Sequence, residues 1–179
     1  NAVKGNQGLK DYGTVSDVYV HIGVITNFSS GSSDWKYSKF TWGTSNPLAN
    51  CVSLGNNQWK FTITGGLRSF FGITNAGEQI KKIAILFRNG NGSLVQRNTD
   101  GSDMYIPVYD NSLQVRIDEP FQQPTYVPVP EAISKNIGDA VSIKAHSSMI
   151  ADITISLNGA DVVTQTGVTE ASAAPARRK

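Results

Sequence analysis

The sequence predicts an all-β protein, a β-sandwich followed by a partial second β unit. Three observations predict it. Apolar and polar residues alternate with period two along several stretches, which puts one face of each stretch in a core. Gly (17) and Pro (7) punctuate short runs of Val, Ile, Thr, Tyr and Phe, the pattern of short strands joined by turns. A chain of 179 residues can hold one sandwich of ordinary size plus part of another.

The elements follow in order. In Val18-Tyr19-Val20-His21-Ile22-Gly23-Val24 the aliphatics share one face, leaving Tyr19 and His21 on the other. Gln58 to Ile63 repeats the pattern, with Trp59, Phe61 and Ile63 pointing one way into the core. The only helix expected is short, around Leu67 to Phe71. Lys82 to Phe87 is apolar on both faces and suits a central, covered strand. Met104 to Tyr109 and Leu113 to Ile117 follow turns at Asp100-Gly101 and Asp110-Asn111.

Four prolines, Pro120, Pro124, Pro128 and Pro130, then favour extended chain. The expected division is therefore a sandwich over 1–118, a Pro-rich linker over 119–130, a partial β unit over 131–169 and a disordered tail over 170–179. Within the second unit, Ala140 to Ala145 and Asp152 to Leu157 alternate, Asn158-Gly159 is a hairpin turn pair, and Val162 to Thr164 supplies a return strand. Three or four strands are too few for the usual seven of an immunoglobulin sandwich. The expectation is a piece of a larger protein, or a second unit completed by another chain.

Composition excludes several classes of function. Arg177, Arg178 and Lys179 account for more than the whole formal net charge of +2, so the body carries no basic footprint and nucleic acid is not an expected partner. No run is long enough to span a bilayer as a helix. The single Cys51 cannot form an internal disulfide. With only His21 and His146, and no H-E-x-x-H, G-x-S-x-G or phosphate-loop motif, hydrolytic and metal chemistries lack their residues. The expectation is a binding role without catalysis and without a cofactor. Asn98, Asp100 and Asp103 place oxygens at near-alternate positions in a glycine-containing loop, a weak calcium candidate weighed against ordinary turn-making.

Further stretches carry a resemblance. Asp17 to Gly23 with Trp35 downstream, Phe40-Thr41-Trp42-Gly43-Thr44, Ser53 to Asn57, Ala84 to Asn89 and Arg97 to Asp103 together resemble the starch-binding modules of carbohydrate-binding families 25 and 26. They resemble more closely the amino-terminal domains that precede the catalytic barrel in α-amylase-like proteins of Bacteroidetes. The likeness covers residues 5 to 118, and 120 to 167 looks like the start of the immunoglobulin-like domain that follows. It implies an extracellular or cell-surface protein that binds a starch-like α-glucan, with further domains of the same protein as its other partners. The alternative is a structural or adhesive surface protein that uses the sandwich as a spacer or self-assembling subunit.

The starch modules carry a Trp in the late loop, where this chain reads Leu94-Val95-Gln96-Arg97-Asn98. A sugar platform then falls to Trp35, Tyr37 or Trp42. Trp35 follows a polar, Ser-rich stretch and is expected at a loop–strand junction, either as a platform or as a rim residue. Tyr37 shares its face by period two, for binding or for cross-strand packing. His21 is placed by the resemblance at a sugar contact, against the reading of a solvated surface histidine. Trp42 shares a face with Phe40 and is expected in the core. The candidate carbohydrate-binding residues are therefore His21, Trp35 and Tyr37.

Overall fold

The structure, a computed structural model, describes residues 1–120 and 134–175. It is all-β as expected, with antiparallel sheets and one five-residue helix among the described residues. The chain divides into two units, the first spanning Asn1–Val108 and the second beginning at Tyr109.

The first unit contains β1 (Val18–Thr26), β2 (Val52–Gly55), β3 (Gln58–Lys60), α1 (Leu67–Phe71), β4 (Ile80–Asn89), β5 (Val95–Gln96) and β6 (Met104–Pro107). Strand β4 is the centre of the main sheet, pairing with β1, β5 and β6, while β2 and β3 form a separate two-stranded sheet. Alternation decides what β1 buries. Val18, Val20, Ile22 and Val24 have no accessible surface and pack with Phe40, Cys51, Phe71 and Ile73. Trp59, Phe61 and Ile63 pack against the same core, although the strand ends at Lys60. On β4, Ala84, Ile85 and Leu86 are all buried, so both faces of this strand are covered.

Helix α1 lies where the sequence places it, closed by Gly72 in the left-handed conformation (φ 71°), whose N–H returns to the last turn. The N-terminal segment also joins the core through Ala2 and Leu9. It braces β5: Asn6 Nδ2 donates to the Val95 carbonyl at 3.0 Å, and its Oδ1 accepts the Arg97 N–H at 2.8 Å.

The second unit is a three-stranded antiparallel sheet of β7 (Val115–Glu119), β8 (Ile143–Leu157) and β9 (Ala160–Ala173). Asn158 and Gly159 turn the β8–β9 hairpin with φ values of 52° and 81°, the doubly positive pair that a two-residue hairpin requires. Ala145, Ile153, Ile155 and Ala171 form its small core.

Three expected boundaries change. Val115–Glu119 pairs with β8, so the first unit ends at Val108 rather than 118. Most of the two alternating stretches at Ala140 to Ala145 and Asp152 to Leu157 falls on one long strand from Ile143, whose pairing with β9 is interrupted by register shifts. The tail expected over 170–179 is strand as far as Ala173, because Ala171 and Ala173 pair with Ala145 and Ile143. Most of the expected linker, and the end of the tail, fall at 121–133 and 176–179, outside the described residues.

Candidate functional site

Register fixes what the outer face of the main sheet presents. Residues opposite each other in an antiparallel pair point to the same side. Tyr19 pairs with Arg88, His21 with Leu86, Gly23 with Ala84, and Ala84 with Tyr105 of β6. These side chains share the face away from the aliphatics of β1. The segment between β1 and β2 comes back over that face: Lys36 forms a bridge with Val24, its N–H and carbonyl bonding at 2.8 and 2.9 Å. Gly23 permits the approach. A Cβ there would stand 3.0 Å from the Lys36 carbonyl oxygen and 3.5 Å from Trp35 Cβ.

The result is an open cleft of about 350 Å³, lined chiefly by His21, Trp35, Trp42, Leu86, Arg97 and Asp103, with Ser33 and Ser38 at its edge. His21 stacks on Trp35, with centroids 5.6 Å apart and planes at 25°, and meets Trp42 edge-on at 5.0 Å. Trp35 in turn meets Tyr105 edge-on, and its indole N–H donates to the Tyr105 hydroxyl at 3.3 Å. The Tyr105 hydroxyl donates to the Ser32 carbonyl at 2.7 Å, which ties the Ser-rich loop to the sheet. Arg97 and Asp103 form an ion pair in the wall, each about a third exposed. Aromatic faces beside fixed donors and acceptors are what a ligand with alternating C–H and O–H surfaces needs.

Of the expected site residues, the structure brings His21 and Trp35 together and leaves Tyr37 out. Tyr37 has a left-handed backbone (φ 54°), so the period-two alternation that would put it beside Trp35 breaks. Its hydroxyl donates to Glu78 Oε2 at 2.6 Å, and that bond raises the phenol above its ordinary pKa. Tyr37→Phe is expected to lower the melting midpoint of the first unit while leaving ligand affinity within about twofold of the parent, as thermal unfolding beside a binding isotherm will show.

Trp42 is a correction in the opposite direction. It is 41% exposed and lines the cleft, whereas Phe40 is buried. Residues 40 to 43 are not strand, and Gly43 follows at φ 70°, so sharing a face with Phe40 by period two has no meaning there. Arg97 and Asp103 line the cleft as well, and Tyr105 packs on Trp35, without any local sequence pattern that marks them. The calcium candidates lie in a hydrogen-bonded turn. Asn98 N–H donates to the Ser102 carbonyl at 3.1 Å, and Asn98 Nδ2 to the Asp103 carbonyl at 2.8 Å. The Asp100 carboxylate accepts the Ser102 N–H, and Asp103 faces Arg97. Among the described residues no group of three His, Cys, Asp or Glu is arranged to hold a metal ion.

The imidazole of His21 is half-buried, and its Nδ1 has no hydrogen-bond partner. Burial first, and then the nearby charge of Arg88, hold its pKa below the ordinary value, against weaker opposing pulls from the Phe40 backbone and Asp103. A histidine with a depressed folded pKa takes up its proton more readily in the unfolded state. Its contribution to stability is therefore complete above about pH 6.5, is lost as pH falls through the lower folded value, and changes no further below it. His21→Gln is expected to flatten this part of the pH–stability curve. All three tryptophans lie in the first unit, so urea titrations followed by tryptophan fluorescence read that unit alone.

No family model, curated protein or solved structure matches this chain.

Proposed function

We propose that the first unit is a non-catalytic module that holds a starch-like α-glucan across the cleft of His21, Trp35 and Trp42. One observation carries the reading: an open cleft on the outer sheet face presents two indoles and an imidazole beside an Arg–Asp pair. The indole faces suit the C–H patches of glucose rings, and Arg97 and Asp103 offer donors and acceptors to their hydroxyls. The resemblance to starch-binding modules supports the same ligand class. On this reading the chain serves a larger extracellular amylase-type protein by keeping it on its polysaccharide.

Affinity electrophoresis in soluble starch is the test. The parent is expected to be retarded, and Trp35→Ala to weaken binding by about tenfold, the equivalent of roughly 1.4 kcal/mol and within the range for stacking on an aromatic side chain. No retardation of the parent would end the glucan reading. Retardation that survives Trp35→Ala would move the ligand away from this cleft.

A second reading has its own observation. Leu48, Val52 and Leu54 are 78%, 66% and 59% exposed, and Val52 and Leu54 share the outward face of β2. Such a row suits a spacer or self-assembling subunit better than a solvated surface. Concentration-dependent assembly in light scattering, abolished by Leu54→Lys, would favour it.

A further inference from the structure

We infer that Arg88 is a positioning residue of the cleft, one that locks the Trp42 indole in place before any ligand arrives. The inference rests on the reading of the cleft as a glucan site. Arg88 has no accessible surface, although it sits on the sheet face that β4 otherwise covers with Leu86 and Ala84. Its guanidinium donates to four backbone carbonyls: Asn89 at 2.9 Å, Gly90 at 2.8 Å, Thr44 at 2.8 Å and Thr41 at 3.3 Å. Two of these belong to the turn that ends β4, and two flank Trp42 on either side in the chain. One planar fork therefore braces the loop that carries the indole against the end of the central strand.

The same guanidinium lies over the Trp42 ring at 5.5 Å and the Tyr19 ring at 5.7 Å. Gly92 supplies the rest of the seat. A Cβ there would stand 2.6 Å from the indole Nε1, so any larger residue would push the ring away. Trp42 is thus held by Arg88, by Gly92 and by its edge-to-face contact with His21, while 41% of its surface stays exposed.

The sheet itself does not need a charge at this position. Burial opposes the charged form of Arg88 and lowers its pKa, and among the described residues no carboxylate forms an ion pair with it. Its hydrogen bonds go to loop and turn carbonyls instead, each of which loses a donor when Arg88 is replaced. What an apolar residue could not supply is the brace on residues 41 to 44. An exposed indole on an unbraced loop would have to be ordered by the ligand, and that ordering weakens binding.

The test is a double-mutant cycle on the full chain, with maltoheptaose affinity read by calorimetry. Trp42→Ala and Arg88→Met are each expected to weaken binding by about tenfold. The double variant is expected to bind no more weakly than Trp42→Ala, because Arg88 acts only through that ring. Arg88→Met at parent affinity, or a double variant weakened by the product of the two effects, would overturn the inference. Should Arg88→Met fail to fold, Arg88→Lys keeps a cation but cannot span four carbonyls, and the same outcomes apply.

A second readout needs no ligand. The near-ultraviolet circular dichroism difference between parent and Trp42→Phe isolates the signal of that indole. It is expected to collapse in the Arg88 variant. If the parent binds no glucan yet this signal depends on Arg88, the positioning role stands and the glucan reading falls. If glucan binds and the signal survives, the positioning role falls alone.

Discussion

Ile22→Ala is expected to destabilise the first unit by about 4 kcal/mol, the largest single-residue effect we anticipate. Ile22 lies mid-strand on β1, has no accessible surface, and pairs with Ile85 at the centre of the main sheet. Truncating it removes apolar contact and leaves a cavity whose walls, the neighbouring aliphatics of β1 and β4, are held by strand pairing and cannot collapse. Urea unfolding followed by tryptophan fluorescence measures the loss in this unit. Val52→Ala is the control. Val52 is 66% exposed, and a change within about 0.5 kcal/mol is expected there. A loss below about 1 kcal/mol for Ile22→Ala would mean that β1 does not carry the core.

The strands that bury one regular face were legible in the sequence. On β1 the register of apolar residues and the register of the sheet coincide, so the alternation of Val18 to Val24 marks the buried set, while β4 is buried on both faces. Strands without large apolar residues were harder to read. The later part of β9 is mostly Thr, Ser, Glu and Ala, and only its pairing with β8 keeps it ordered, with Ala171 as the buried contact. Strand β2 escaped notice because its apolar residues, Val52 and Leu54, face outward.

The candidate site was legible in part, and its failures share a cause. His21 was found because it sits on a regular strand, where alternation states which way it points. Tyr37 and Trp42 lie where the chain leaves the sheet, and a left-handed residue or turn cancels the alternation. The ion pair of Arg97 with Asp103 is formed across the Asn98–Gly101 turn, which reverses the chain so that residues six apart face each other. The signal that could have found Trp42 is Gly92, a glycine whose missing side chain makes room for an indole distant in sequence. No local pattern encodes that contact.

Glu78 holds the Tyr37 hydroxyl, and it supports the second large prediction. The Glu78 carboxylate is 4% exposed and accepts hydrogen bonds from Thr26 Oγ1 at 2.8 Å and Tyr37 at 2.6 Å. It joins the last residue of β1 to the segment that bridges beside Val24. Arg68 separately grips the backbone of this region through the carbonyls of Glu78 and Asn75, so loss of the carboxylate need not release the loop. Glu78→Leu is therefore expected to cost about 3 kcal/mol, chiefly because the Thr26 hydroxyl, only 3% exposed, keeps its proton without an acceptor. Thr26→Val alone is expected to cost about 2 kcal/mol, by leaving a buried carboxylate short of a donor. The double variant removes the unmet demand between these two side chains and leaves only the Phe28 N–H and the Tyr37 hydroxyl without their acceptors. It is expected to cost about 3 kcal/mol rather than the sum, which gives a coupling of roughly 2 kcal/mol by chemical denaturation. Additive losses would show that the two side chains are stabilised independently, and that the carboxylate is not the clamp at the end of β1.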